Sequence, residues 1–261
     1  MNDPEVVADL AQRISAYQIA LALKSPSTRR VGPFYARFDP RNPNPFGNYA
    51  IPEPGATPST ADVAALVRAY RKQERTPRLE YIAASAPAVE RALLSAGFVA
   101  ENRPALMACM RGAARNLLPP DGIILVRPSS DGDILAVSAV QREAFGEPTP
   151  AGPADVDSMR AHIHRGAIVV LASEGSTGEA AGAGECTPLE GGVTEIVGIG
   201  VRPRFRRRGI ASAVTARLAM DSFDRGATLA WLTPGDEDAQ RIYARAGFQP
   251  IGEMLMISLP N

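Results

Sequence analysis

The sequence is that of an α/β protein built as two related copies. Three observations predict this. Short β-branched runs alternate with runs whose apolar residues recur at helical spacing, as in the strand-like stretch 193–201 and the helix-like stretch 209–225. A double proline followed by Asp-Gly, in Leu117-Leu118-Pro119-Pro120-Asp121-Gly122, interrupts the chain near its middle, since neither a helix nor a central strand continues through it. The halves also echo each other: Ala96-Gly97-Phe98 and Ala246-Gly247-Phe248 each follow an alanine-containing helical run, 150 positions apart.

The first half reads as a helix over 60–72 with Ser59 or Thr60 as its cap, a strand over 79–84, a helix over 87–96 and a strand over 103–110. After the break come a strand at 123–127, helices at 133–145 and 154–165, and strands at 167–173 and about 180–187. The stretch 174–192 is rich in Gly, Ser and Glu and reads as a mobile hairpin turn. The strand at 193–201 and the helix at 209–225 follow, then a strand at 227–233, a helix at 236–246 and a last strand at 252–259. Shifted by 150, the helix 87–96 and the strand 103–110 fall on 237–246 and 253–260. Ala-Gly-Phe alone is a common way to end a helix. The shared order of elements around it favours duplication, with domains at 1–118 and 119–261.

The 261 residues suit two domains, and 45% hydrophobic content is enough for two cores. Net charge is zero overall, but residues 1–120 carry 15 basic and 10 acidic side chains and residues 121–261 carry 13 and 18. That asymmetry favours docking of the halves in a weak, salt-dependent way and leaves no chain-wide footprint for nucleic acid. Only Lys24 and Lys72 among 28 basic residues are lysine, a skew typical of GC-rich bacterial genomes. Cys109 and Cys186 are too few for a disulfide framework or a thiolate metal site and read as reduced, isolated thiols. No apolar run approaches the roughly 20 residues that span a bilayer, and the acidic Met1-Asn2-Asp3-Pro4-Glu5 start lacks the order of a secretion signal; the expectation is a cytoplasmic protein without a membrane partner.

The stretch from Val201 to Ala211 carries the chemistry. A strand, Glu195 to Val201, runs into Arg202-Pro203-Arg204-Phe205-Arg206-Arg207-Arg208-Gly209 and then into a helix beginning near Ile210. A helix's first turn has unpaired N–H groups and a partial positive charge. Gly209 lets a ligand approach the backbone, and Arg206, Arg207 and Arg208 add donors, so an anion, a phosphate above all, is the expected guest. Five arginines between 202 and 208 would also suit nucleic acid, but only Phe205 is available for base stacking and the half carrying the patch is acidic.

Arg206-x-x-Gly209-x-Ala211 resembles the pyrophosphate signature of the GNAT acyltransferases. Asp236-x-x-Ala239-x-x-x-Tyr243-x-x-x-Gly247-Phe248 resembles the second signature of that family, in the right order and at the right distance. The likeness covers about residues 121–261. It implies a mixed central sheet with flanking helices in each copy. It also implies acetyl-CoA as co-substrate, no metal, and transfer of the acetyl group to a primary amine by direct attack in a ternary complex. Cofactor contacts are then implied for Gly200, Val201, Arg206, Arg207, Arg208, Gly209, Ile210, Ala211 and Asp236, with the Val201 N–H facing the thioester carbonyl. The family's asparagine is Asp236 here, and an ionised aspartate cannot donate as asparagine does; as a helix cap it has a structural reason to be there.

Acyl transfer to an amine needs the ammonium deprotonated and the leaving thiolate stabilised. Tyr243 stands where the family commonly places the acid, and Glu195, eleven residues before Arg206, where some members place a glutamate base. Period two puts 195, 197, 199 and 201 on one face, so Glu195 and Val201 are expected together. Ordinary alternatives are a packing tyrosine and a solvated strand glutamate. His162 and His164 lie two apart on a helix, so at most one faces a cleft, and a surface role at the helix end is expected for them. In the first copy, Pro52, Pro54 and Pro58 precede the helix at 60–72 and Leu93 replaces the tyrosine, so no cofactor is expected there. The other functional class consistent with these residues is a catalytically silent acyl-CoA-binding regulatory module. The acceptor, a small-molecule or peptide amine, and the oligomeric state are not encoded in any motif.

Overall fold

A computed structural model describes residues 3–40 and 43–260. The chain forms two packing units: one from the N-terminal residues up to Leu106 together with those from Pro250 onward, the other from Met107 to Gln249.

The first unit begins with α1 (Pro4–Leu23), which Asp3 caps by accepting from the Glu5 N–H at 3.0 Å. Next come the short strands β1 (Arg29–Val31), β2 (Phe34–Ala36) and β3 (Ala50–Pro52), then α2 (Thr60–Lys72), β4 (Arg78–Ile82), α3 (Pro87–Ser95) and β5 (Val99–Asn102). β1, β2 and β3 are antiparallel neighbours, and β3 meets β4 in parallel at Ala50 and Leu79. Phe34, Leu66, Tyr70, Leu79 and Leu93 fill its core, all fully buried. α2 starts where Ser59 and Asp62 bond reciprocally: the Asp62 N–H donates to Ser59 Oγ at 3.2 Å and the Ser59 N–H to Asp62 Oδ2 at 2.9 Å.

The chain leaves this unit along β6 (Ala105–Met110) and builds β7 (Ile123–Val126), α4 (Asp131–Phe145), α5 (Pro153–His164), β8 (Ile168–Glu174), β9 (Ala180–Cys186), β10 (Val193–Val201), α6 (Ile210–Asp224), β11 (Leu229–Leu232), α7 (Glu237–Arg245) and finally β12 (Gln249–Ser258). Within the second unit β7, β8, β9 and β10 are antiparallel in that order, β10 and β11 are parallel, and β6 closes the far side antiparallel to β11. The sheet is thus mixed. β12 serves the first unit, where it pairs antiparallel with β4 and β5. Each unit's sheet is therefore completed by the last strand of the other half of the chain, which removes an open edge from β4 and from β11.

α4 and α5 cover one face of the second sheet, with Val137, Val140, Val169, Leu171 and Ala183 buried between them. α6 covers the other, and it lies close because β9 offers glycines there: a Cβ at Gly184 would stand 3.1 Å from both Val214 and Leu218. Two expectations change. The stretch 174–192 is not one mobile turn, because β9 occupies 180–186 and is paired on both sides, which confines the hairpin turn to 175–179. The strand expected at 103–110 begins only at Ala105, after Arg103-Pro104, as β6, and a further short strand, β5, precedes the proline.

The echo between the halves is geometric as well. Phe98 donates its N–H to Leu93 O at 3.1 Å and Phe248 to Tyr243 O at 3.2 Å; Gly97 bonds Leu94 O at 3.0 Å and Gly247 bonds Ala244 O at 3.1 Å. The two copies use Gly247 and Gly97 differently in one respect. A Cβ on Gly247 would lie 2.1 Å from the Ala113 carbonyl oxygen, whereas on Gly97 it would meet only the Leu259 side chain at 3.5 Å. Gly247→Ala should therefore destabilise the protein by about 2 kcal/mol or more, and Gly97→Ala by about 1 kcal/mol, in urea unfolding; equal costs would show that the Ala113 contact yields freely.

Candidate active site

β10 and β11 share only the pairs Val193–Leu229, Thr194–Ala230 and Glu195–Trp231. β10 then continues to Val201, still paired to β9, while β11 ends at Leu232. The two strands thus part after Glu195. The Arg202 N–H donates to Ala181 O at 2.9 Å. Because donors alternate sides along an antiparallel ladder, Val201 points its N–H away from β9, toward the side β11 has left.

A bulge sits in the middle of β10. Val197 stands opposite Glu185, but Gly200 stands opposite Ala183, so one extra residue is inserted between them. Gly198 takes φ 64°, and a Cβ there would fall 2.3 Å from Gln141 Nε2, which instead donates to Gly198 O at 3.1 Å. The bulge overturns the expected face. Glu185 and Ala183 are two apart on β9 and share a face, so Glu195, Val197 and Gly200 lie together on the α4–α5 side. Val201 lies on the α6 side, where its Cγ2 would meet a Cβ on Gly182 at 3.4 Å. Strict period two cannot register an inserted residue.

The turn after β10 is shaped for an anion. Arg207 adopts φ 60° and Gly209 φ 87°. A left-handed conformation is uncommon for a residue with a Cβ and signals local constraint. Alternating backbone handedness of this kind turns successive N–H groups into one concavity. Gly209 is the N-cap of α6 and no side chain caps that helix. A Cβ on Gly209 would meet nothing within 4 Å, so the space in front of the helix is open. Ile210 anchors the first turn, fully buried, while Ala211 is half-buried. The arginine side chains are mostly engaged nearby. Arg206 donates to Val201 O at 3.1 Å; Arg204 pairs with Glu179 and Arg208 stands 4.0 Å from Glu174, both stacked near the buried Phe205 ring. Arg207 is exposed.

Tyr243 lies on α7, which packs beside α6. Burial, with a smaller contribution from the Asp236 charge, pushes its phenol up to about 12. Asp236 caps α7, its Oδ1 accepting from the Ala239 N–H at 2.7 Å. This gives the departure from asparagine a structural cause.

The histidines separate. His164 is exposed and bonds Arg160 O, as expected for a helix end. His162 instead turns toward the sheet, and its Nδ1 lies 3.0 Å from Glu185 Oε2. Glu185 was not singled out from the sequence. Its signal was available: it is the one charged residue in the otherwise small and apolar β9, Ala180-Ala181-Gly182-Ala183-Gly184-Glu185-Cys186. Among the described residues no cluster of three or more metal-ligating side chains occurs, and no helix is long and apolar enough to cross a membrane. Cys109 and Cys186 are buried free thiols, Cys109 pushed up to about 12 by burial.

A parted parallel strand pair, a bulge, an uncapped helix N-terminus and a tyrosine on the next helix thus occur together in the second unit. Residues 134–248 match the acetyltransferase (GNAT) family, and this domain of the chain belongs to it. A solved GCN5-related N-acetyltransferase from Kribbella flavida is 26% identical and superposes with a TM-score of 0.81 over 97% of this chain and 96% of that one. A GCN5-related N-acetyltransferase from Sphaerobacter thermophilus, 22% identical, covers 77% of this chain and 66% of its own with a TM-score of 0.60. A tandem GNAT protein from the clavulanic acid biosynthesis pathway, 16% identical, shares the fold over 80% of this chain and 72% of its own with a TM-score of 0.59. No curated protein matches in sequence. The family makes acyl transfer the general chemistry of this domain.

The Tyr243 shift has a measurable sign. The neutral phenol is favoured by folding, so the unfolded chain loses this proton first and stability falls as pH rises from about 10 toward 12. An ultraviolet pH titration of Tyr243→Phe against the wild type should lack one phenol titrating near 12; a missing phenol at about 10 would show Tyr243 to be solvated.

Proposed function

We propose that the chain transfers an acetyl group from acetyl-CoA to a primary amine, both bound at once on the second unit. The observation that carries this is the start of α6, open and uncapped behind Arg207 and Gly209, where its counterpart α2 is closed by Ser59 and Asp62. The donor set fits a pyrophosphate: backbone N–H groups at a positive helix end, with exposed arginines around them. Arg206, Arg207, Arg208, Gly209, Ile210 and Ala211 would hold it, and the edge of β10 at Gly200 and Val201 would hold the arm that follows. Asp236, occupied as a cap, contributes its position and not a donor. Bound acetyl-CoA supplies an activated thioester.

The protein's own groups then have defined tasks. The Val201 N–H donates to the oxygen on which charge develops, in a site that needs no rearrangement. Tyr243 faces the departing sulfur. A phenol held near 12 stays protonated throughout the working range. The protonated phenol can serve the departing sulfur as a hydrogen-bond donor and as the acid. Glu195 presents a carboxylate on the face that carries Gly200, suited to hold the acceptor's ammonium.

Calorimetry with CoA and a thiol-release assay with acetyl-CoA across amine classes test this. One CoA should bind per chain, and at least one amine should release thiol. Gly209→Val should weaken CoA by at least about tenfold, or 1.4 kcal/mol, in a protein whose circular dichroism is unchanged. Tyr243→Phe should lower kcat by about 10²-fold at every pH while CoA affinity holds. Unchanged affinity in Gly209→Val would sink the phosphate assignment. CoA binding without turnover on any amine would make the protein a silent acyl-CoA-binding module, and two CoA per chain would show that the first unit binds it as well.

A further inference from the structure

The bulged face of β10 carries one more chemical group. His162, in the last turn of α5, points its Nδ1 at Glu185 Oε2 across 3.0 Å, with the side chains 27% and 13% exposed. The other oxygen of Glu185 stands 3.7 Å from where a Cβ on Gly198 would be. The carboxylate–imidazole pair therefore lies over the bulge, on the face shared with Glu195 and Gly200. A carboxylate can only accept, so it fixes the tautomer with hydrogen on Nδ1 and leaves the Nε2 lone pair for another proton.

Resting on the acetyl-transfer reading above, we propose that His162 is the base of the reaction and that Glu185 is its positioning residue. The acceptor's ammonium gives one proton to His162 Nε2. The freed amine nitrogen forms its bond to the acyl carbon as the carbon–sulfur bond breaks, and the second proton of that nitrogen ends on the thiolate sulfur. The imidazolium so formed is stabilised by Glu185 and returns its proton to solvent on the exposed side of the ring. An imidazole titrates near 6.5 and a carboxylate near 4.3, so at neutral pH imidazole is the better-matched base. Glu195 keeps the role of holding the ammonium.

Glu185 of β9 faces the ring directly, and Glu195 of β10 shares its sheet face. From α4, Gln141 is neutral and Arg142 is held by Asp155 and Glu147. On α5 itself, Arg160 is paired with Asp131 and Asp157, and His164 is exposed.

The test follows kcat/KM against pH in the full chain with acetyl-CoA and the primary amines that release thiol. Activity should fall on an acid limb. His162→Gln should lose about 10²-fold at pH 7 and regain much of it in alkali, where amines deprotonate unaided. Its loss should shrink for amines that are already neutral at the assay pH. Glu185→Gln should move the limb to lower pH, because the imidazolium loses its carboxylate partner. Glu195→Gln should raise KM and keep the limb. The second readout needs no acceptor. The chain has 2 histidines, so the His162 ring signal can be assigned by NMR from its loss in His162→Gln, and its titration should shift to lower pH in Glu185→Gln. A limb that stays at its wild-type pH in His162→Gln, a limb abolished by Glu195→Gln, or a His162 titration indifferent to Glu185→Gln would each overturn the proposal. Failure of wild-type protein to bind CoA would instead remove the acetyl-transfer reading itself.

Discussion

Beyond Glu195, β10 and β11 stop sharing hydrogen bonds, and the backbone groups that this releases must be satisfied by something other than a strand. Much of the second unit can be understood as what keeps that opening stable. On its outer side β10 stays locked to β9 down to Val201, so one edge is rigid while the other is free. The bulge at Gly198 bends the strand, and Gln141 from α4 pins it there. On the far side β11 does not close the gap, because β6 already satisfies its other edge and fixes its course. Strand, bulge and turn hand the chain to α6 at the mouth of the opening. Deep burial of Ile210, Val214 and Leu218 then holds the helix in position without a cap.

That last point separates the two copies energetically. A capped helix start is more stable than an uncapped one by about 1 kcal/mol. α2 takes that stabilisation: Ser59 and Asp62 bond to each other's backbone, and Asp62 places a negative charge where a phosphate would go. Ser59 holds the Asp62 carboxyl below the usual carboxylate range. α6 forgoes the cap, sets Arg207 in a conformation that costs energy, and leaves its N–H groups facing open space. The same geometry is thus closed by side chains in one copy and left open in the other. Leu93, wholly buried where the second copy keeps the half-buried Tyr243, shows the same divergence.

The sequence makes the parts with strong local signals legible. Ser59 and Asp62 mark the start of α2, Gly209 and the apolar period mark α6, and Pro119-Pro120 marks a stretch without regular structure. Three kinds of feature stay hidden. β1, β2 and β3 have three residues each, too few for any period to show. The exchange of last strands leaves no local signal, since pairing partners far apart in the chain are not written in a strand's own residues. The bulge at Gly198 inverts every face assignment after it, and a glycine in a strand signals this only weakly. The facing of the candidate residues was therefore not legible in the sequence. The relation of His162 to Glu185 needed the fold, because 23 positions separate them.

The arginine-rich turn shows why composition misleads about partners. Read as a string, Arg202 to Arg208 is a cationic patch. In the fold Arg202 pairs with Glu143 and Glu179, Arg204 with Glu179, and Arg208 lies near Glu174, while Arg206 folds back on the Val201 carbonyl. Local acidic partners offset most of the field that would attract a long polyanion. Ion pairs this exposed are individually worth little, about 1 kcal/mol or less, and an arriving phosphate can replace a carboxylate at small cost. The fixed element is the backbone, whose N–H groups cannot be neutralised by a neighbouring side chain. On the reading proposed above, such a turn would hold a compact phosphate at one point through its backbone, with the acidic partners lowering its pull on an extended polyanion.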